Sequence, residues 1–275
     1  MLVLEYKAVV DNKEQRDAIE DAIRTTQFIR NKALRFWLDS PREANINKRS
    51  LSTISTTLRK EYSFVEELNS MACQAATERA WAAISRFYEN CKIGKPGKKG
   101  FPKFQHDNRS VEYKTSGWSL HPTKRRITFT DKKGIGEVKL LGKWDIHKHP
   151  AESIKRVRIV RRADGYYVQF CLKLDVEQEK RMGDGEIGID VGIEYFYSDS
   201  NGHHEENPKF AKKAEKSIKH AQRRIYRKKK GSSNRRKARQ RYARKHLKVR
   251  CDSLWMNHGN QSVNNSTNPA ADYCQ

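Results

Sequence analysis

The sequence predicts an α+β protein: an antiparallel β-barrel carrying a helical insertion, followed by a second α/β unit that ends in long basic helices. Three observations carry the prediction. Between Arg109 and Asp175, short runs alternate apolar and polar residues as half-buried strands do: Val111/Tyr113, Trp118/Leu120, Ile127/Phe129, Val138/Leu140, Val157/Ile159, and Tyr166 through Val168, Phe170 and Leu172 to Leu174. Leu2, Leu4, Tyr6, Ala8 and Val10 share the same period of two, yet residues 12–106 stand between them and that group with helical spacing instead. From Pro208 to Arg250 the chain holds 20 Lys or Arg against one acid, Glu215.

Leu2 to Val10 form the first strand. Asp11 with Glu14 has the spacing of a capping box, and Ile19, Ala22, Thr26, Ile29, Ala33 and Trp37 recur every three or four residues until Ser40-Pro41 stops the helix. Leu51, Ile54 and Leu58 mark a second helix over residues 49–61. Ala72, Ala76, Ala80, Ala83, Ile84, Phe87 and Tyr88 draw one apolar stripe along a third, which ends near Asn90. On this spacing Trp81 and Tyr88 belong to the core, not to a base-stacking surface. From Lys92 to Lys103, Gly94, Gly97 and Gly100 break the helix and five lysines crowd a loop. Its G-K-P-G-K-K-G string lacks P-loop spacing, so it suits phosphates without implying a nucleotide pocket. Arg162-Ala163-Asp164-Gly165 is the best hairpin turn among the later strands, and strands at this spacing suit a small antiparallel barrel.

The second unit begins near Asp184. Glu186 to Ile193 reads as a buried strand interrupted by Asp190, residues 194–200 as the next strand, and Asn201-Gly202 as the hairpin into a third. A lone carboxylate in an apolar strand is costly unless a divalent metal or a basic partner offsets it, which makes Asp190 a candidate ligand.

Composition narrows the function classes. The 275 residues carry 57 Lys+Arg against 33 Asp+Glu, a formal +24, of which +19 lies in residues 208–250. An acidic polymer suits such a segment, because each neutralised phosphate releases condensed counterions. No run approaches the roughly 18 apolar residues of a membrane span, and the N-terminus lacks a signal-peptide block. The expected location is the cytoplasm, with no membrane partner. Cys73, Cys91, Cys171, Cys251 and Cys274 form no C-x-x-C pair, so neither a disulfide framework nor a zinc knuckle is encoded. A ribosome-associated basic protein would share the charge but not the Asp190 strand or the barrel pattern.

Several motifs now fall in a telling order. They are Arg30-Asn31-Lys32-Ala33-Leu34, Gly100-Phe101-Pro102-Lys103-Phe104 leading to Arg109-Ser110-Val111, Gly188-Ile189-Asp190-Val191-Gly192-Ile193, and Glu206-Asn207-Pro208-Lys209-Phe210. Gln222-Arg223-Arg224 to Arg227-Lys228-Lys229-Lys230-Gly231 follow, then Asn234-Arg235 and Lys237-Ala238-Arg239. Gly188 to Ile193 is similar to the first motif of a RuvC-type, RNase H-like nuclease domain. Together the motifs resemble the TnpB/OrfB family of transposon-encoded RNA-guided DNA endonucleases, formerly described as OrfB transposases and related to type V CRISPR effectors. The resemblance implies a wedge-like β-barrel over residues 1–11 and 107–180, and a helical recognition insertion with its basic loop over 12–106. It further implies an incomplete RNase H-like (RuvC) α/β unit with basic helices over 184–254 and an atypical polar tail over 255–275. The implied partners are a guide RNA from the transposon end and a target DNA that base pairing reads. On charge, the expected phosphate contacts are Lys95, Lys98, Lys99, Lys103, Arg223, Arg224, Arg227, Lys228, Lys229, Lys230, Arg235 and Arg236. By resemblance Asp190 is the catalytic carboxylate, a ligand for Mg2+ or Mn2+ in two-metal cleavage.

The family's pattern also has a Glu on a later strand, an Asp near the C-terminus and a four-cysteine zinc element between them, for which residues 191–275 show no match. Glu194, Asp199, Glu205 and Glu206 read as acids of a solvated hairpin. Trp255 to Gln275 contains no Lys or Arg and five Asn, unlike the segment before it. The chain is thus expected to be truncated at its C-terminus, to lack the zinc site, and to bind nucleic acid without cutting it. The alternatives are a non-catalytic binding module or a decayed transposon remnant.

Overall fold

The computed structural model describes residues 2–173 and 187–259. Leu174, the expected start of the second unit at 184–186, and the polar tail from 260 onward lie outside the described residues. Residues 1–174 and 175–275 form two compact units.

In the first unit, β1 (Leu2–Val9) buries Leu4, Tyr6 and Ala8, the period of two that its sequence carries. The helix α1 (Lys13–Asp39) starts one residue later than the Asp11 cap predicted. Asn12 caps it, its side chain accepting from the Gln15 amide at 2.7 Å, and Gln15 Nε2 in turn donates to the carbonyls of Ile135 and Glu137. The chain leaves the helix at Ser40, in extended backbone ahead of Pro41. Next come α2 (Lys48–Glu61), one turn of helix α3 (Ser63–Glu66), and α4 (Ser70–Lys92), with Asn47 and Asn69 capping the two long helices. The expected helix boundaries hold to within a residue or two. The single turn α3 carries no periodic signal long enough to read.

The strands β2 (Ser110–Lys114), β3 (Trp118–Leu120), β4 (Arg126–Phe129), β5 (Gly136–Leu141), β6 (Ile154–Arg161) and β7 (Tyr166–Leu172) complete one antiparallel sheet in the order β2-β6-β7-β1-β5-β4-β3. Its edge strands β2 and β3 are consecutive in sequence, joined by Thr115–Gly117. Three residues span at most about 10 Å, whereas the edges of a flat seven-stranded sheet lie about 29 Å apart at the usual strand spacing. The sheet must therefore curl. Two ring pairs show that it does: Tyr113 of β2 meets Phe129 of β4 at 4.8 Å between centroids, and Trp118 of β3 meets Phe170 of β7 at 6.5 Å. The expected barrel is thus nearly closed.

The helices do not stand apart from the strands. Ile19, Ala22, Ile23 and Ile29 of α1 and Ala72, Cys73 and Ala76 of α4 share one core with Tyr6, Val111, Val157, Val168 and Phe170. Each isoleucine and valine among them contributes about 1.5–3 kcal/mol by leaving water. A smaller core of Ala33, Leu34, Leu51, Ala80 and Ile84 joins the far halves of α1, α2 and α4, with Trp37, Ile46 and Trp81 packed on it.

In the second unit, β8 (Ile189–Asp190), β9 (Tyr195–Asp199) and β10 (His204–Glu206) form a three-stranded antiparallel sheet in the order β10-β9-β8. The Asn201-Gly202 turn joins β9 to β10 as predicted. Gly202 takes a φ of +84°, and the Asp199 carboxylate accepts from the amides of Asn201 and His203. Two helices follow, α5 (Phe210–Tyr226) and α6 (Ser233–Gly259). The backbone of α6 runs on through the first residues of the predicted polar tail.

Candidate nucleic-acid interface

Lys95, Lys98, Lys99 and Lys103 sit on the long connection from α4 to β2, and three asparagines hold that connection in place. Asn90 donates to the Lys99 carbonyl at 2.9 Å. Asn31 donates to the Gln105 carbonyl at 2.8 Å and accepts the Gln105 amide at 2.9 Å, pairing with that backbone as a strand would. Asn108, buried, donates to the carbonyls of Ile23 and Ser110, and its amide donates to the Gln27 side chain. Arg30 adds a bond to the Lys103 carbonyl at 3.1 Å. Burial and the nearby Arg79 cation pull the Arg30 pKa down, yet a guanidinium keeps its charge at any ordinary pH. Gly94, Gly97 and Gly100 all have positive φ, so the loop turns where side chains would be strained. Lys95, Lys98 and Lys103 are exposed and Lys99 is half-buried. The loop thus presents charge from a fixed backbone. None of Arg30, Asn31, Asn90 or Asn108 carries a charge-based signal for this role. Arg30-Asn31 belongs to a recognised motif, but composition says nothing about which loop it grips.

The other predicted cations line a helical hairpin. Ala221 and Ile225 of α5 are buried and Ala214 and Ile218 half-buried, a stripe at helical spacing that packs against α6, where Ala238, Tyr242 and Val249 are half-buried. Lys245 Nζ reaches the Ser217 hydroxyl at 2.7 Å across the pair. Arg223 and Arg224 point away from this seam, exposed in the last turn of α5, where cations complement the helix dipole. Arg227, Lys228, Lys229 and Lys230 form the exposed tip of the hairpin, closed by Gly231 at φ +86°. Arg235 is half-buried and pinned to the Lys228 carbonyl at 3.1 Å; Arg236 is exposed. The structure therefore brings Arg223, Arg224, Arg227–Lys230 and Arg236 to one continuous hairpin end and spends part of Arg235 on its turn.

Asp190 is placed otherwise than predicted. Its strand pairs with β9 over two residues only, Ile189 opposite Asp199 and Asp190 opposite Ser198. Ile187, Ile189, Val191 and Ile193 are exposed, Ile193 at 90%, so the expected buried strand is not formed among the described residues. Asp190 itself is exposed, and the desolvation cost that singled it out is not incurred here. The nearest acid across the ladder, Asp199, is occupied by its turn. A catalytic divalent ion takes several oxygen ligands, and among the described residues no group of three or more His, Cys, Asp or Glu could hold one. Among the described residues, the donors around Asp190 do not make up a Mg2+ or Mn2+ centre. Cys73 and Cys171 are buried free thiols on separate elements of the barrel unit, burial pushing Cys73 up to about 11. No helix among the described residues is long and apolar enough to cross a membrane.

Comparison with known proteins agrees with the motif order. A family model described as a probable transposase of the OrfB type, OrfB_IS605, matches residues 169–254, from β7 through the Asp190 sheet to the basic hairpin. A protein of Streptomyces pristinaespiralis named "Putative RNA-guided DNA endonuclease" is 25% identical over 251 residues, which cover 88% of this chain and 59% of that protein. The chain thus spans about three-fifths of the length of the relative it matches. The model match over the basic hairpin and the relative's alignment across both units point the same way as the motif order: the chain is similar to OrfB-type transposases and to a protein named as an RNA-guided DNA endonuclease.

Proposed function

We propose that this chain is a nucleic-acid-holding protein of the RNA-guided type, gripping a guide RNA from a transposon end and its DNA target by their phosphate backbones, and that these residues do not cut by themselves. The α5–α6 hairpin carries the reading. It presents a cationic surface whose apolar stripe is already used by its own two helices, so its exposed side chains are left to an external partner. The clamped lysine loop of the first unit is a second contact of the same kind. Backbone binding needs little base-specific chemistry, because in guide-directed recognition base pairing reads the sequence. Asp190 has the resemblance of a metal ligand, but among the described residues no set of companion carboxylates stands with it, so no cleavage step is derived from it. The division into wedge barrel, helical insertion and partial nuclease domain is proposed on the same resemblance.

The test is the salt dependence of binding. Replacing Arg227, Lys228, Lys229 and Lys230 together by alanine should reduce affinity and lower the slope of log K against log salt. If all four contact phosphate, the slope falls by about 2.8 on single strands and about 3.6 on duplex DNA. An unchanged slope would make the tip a solvated surface and overturn the assignment. Sequencing the RNA that co-purifies from the native host after a high-salt wash identifies the guide: one species mapping to a transposon end is expected.

A further inference from the structure

The helical stripe that assigned Tyr88 to the core does not describe where Tyr88 lies. Trp81 packs on the smaller core, but Tyr88, two turns further along α4, is 48% exposed. It stands in a group of four rings at the outer end of α1 and α4. Trp37 donates from Nε1 to the Tyr88 hydroxyl at 2.9 Å, with the rings edge to face. Phe101 lies against Trp37 at 5.8 Å and against Phe87 at 5.2 Å between centroids, and is 52% exposed.

The position of Phe101 is built. Asn90 holds the Lys99 carbonyl, Gly100 turns the chain with a φ of +80°, and Pro102 is buried on the other side. The loop that delivers this ring, from Lys92 to His106, carries five lysines and no acid. Two half-exposed aromatic rings with fixed orientation, bordered by cations on a clamped backbone, match the needs of an unpaired nucleotide strand: a flat apolar face for the base and positive charge for the phosphate. An apolar protein partner would leave the lysines uncompensated.

We propose that Phe101 and Tyr88 form a base-stacking platform for unpaired nucleotides, with Lys95, Lys98, Lys99 and Lys103 along the strand's phosphates. The platform rests on the nucleic-acid reading above and adds to it a preference for single strands, which duplexes cannot satisfy because their bases are already stacked.

The test compares oligo(U), oligo(dT) and a mixed-sequence duplex of equal length, binding to the full chain by fluorescence anisotropy at fixed salt. Phe101→Leu keeps the apolar contact with Trp37 but removes the aromatic face. It should weaken both single strands about tenfold, leave duplex affinity within about twofold, and leave the salt slope unchanged because no phosphate contact is lost. Phe101→Tyr should restore single-strand binding, which a merely structural role for the loop would not distinguish from Leu at equal thermal stability. Greater loss on oligo(U) than on oligo(dT) assigns the platform to RNA, and the reverse to DNA. Equal weakening of duplex and single strand, or no weakening by Phe101→Leu, would overturn the platform while leaving the basic hairpin as binder. A wild-type chain that binds none of the three would overturn both readings. A concentration-dependent dimer abolished by Phe101→Leu would overturn the platform in favour of self-association.

Discussion

Glu112 offers the sharpest test of how the barrel is held together. It lies on β2 between Val111 and Tyr113, whose side chains enter the core, and it points to the opposite face, where it is nevertheless only 2% exposed. Arg156 and Arg158, neighbours on β6, both donate to its carboxylate, and Arg158 is its direct cross-strand partner. Arg156 also reaches Glu78 of α4, which pairs with Lys48 and Lys114, while Arg79 of α4 donates to Ser110. The network therefore ties α4 and α2 to the edge of the sheet that closes the barrel. Removing one partner of a buried pair costs about 3–5 kcal/mol, because the remaining charge stays desolvated. Here Arg156 and Arg158 are about one-third exposed and can partly rehydrate, which places Glu112→Gln near the lower end, about 3 kcal/mol. At about 2–4 °C per kcal/mol for a unit of this size, the midpoint of thermal unfolding should fall by about 6–12 °C. Circular dichroism melts of the full chain at neutral pH measure it. A fall of less than about 2 °C would refute the reasoning and show that the arginines are as well satisfied by water as by Glu112.

The same network fixes an acid response. Burial pushes the Glu112 carboxyl up, but the bonds from Arg158 and Arg156 outweigh it and leave the group below the ordinary carboxylate range; Glu78 is lowered likewise, its burial overcome by Lys114 and Lys48. A lowered folded pKa means stability fully present above the unfolded carboxylate value and lost as pH falls through the folded one. The wild-type melting temperature should therefore drop below about pH 4.5, and the drop should be shallower in Glu112→Gln, which a pH series of melts will show. Gly142→Ala should cost about 1–3 kcal/mol, because a β-carbon there would sit 2.8 Å from Cδ1 of the fully buried Tyr6 ring, which has no room to retreat; denaturant titration reads the loss.

How much of this could be read from sequence depends on the reach of each signal. Period-two alternation located every barrel strand, because each strand has one face in the core. The glycines of the Lys92–Lys103 loop were equally plain, since positive φ favours glycine and these three adopt it. What alternation cannot report is what lies above a residue. Trp81 and Tyr88 sit seven positions apart on one helical face and look equivalent, yet at 1.5 Å per residue Tyr88 is about 10.5 Å further along α4, beyond the small core that covers Trp81. Ile187 to Ile193 read as a buried strand for the same reason, since an apolar run states a need for cover without naming it. Barrel closure was implied by strand count, but its proof is the contact of Tyr113 with Phe129, which no local pattern encodes. The asparagine clamps were invisible because a side-chain amide bonds to whatever backbone folding brings to it.

Charge is where structure adds most to a sum that sequence states correctly. Some cations of the first unit are matched within it: Lys133 to Asp21 and Glu67, Arg156 and Arg158 to Glu112, Arg161 to Glu20, and Arg162 to Glu5. These arginines and lysines hold elements together and are poor candidates for a ligand. In the 208–250 segment one carboxylate, Glu215, serves twenty cations, and it is taken by Lys219. The surplus there is arithmetic and no rearrangement of the hairpin can remove it. In solution it is neutralised by a loose atmosphere of anions, while a polyanion that replaces them releases its own condensed counterions as well, which favours binding at low salt and weakens it at high salt. The 208–250 segment, with twenty cations and a single acid, is therefore held as a fold by the packing of its two helices, and on the function proposed above its surplus charge is what the phosphates of a bound strand would neutralise.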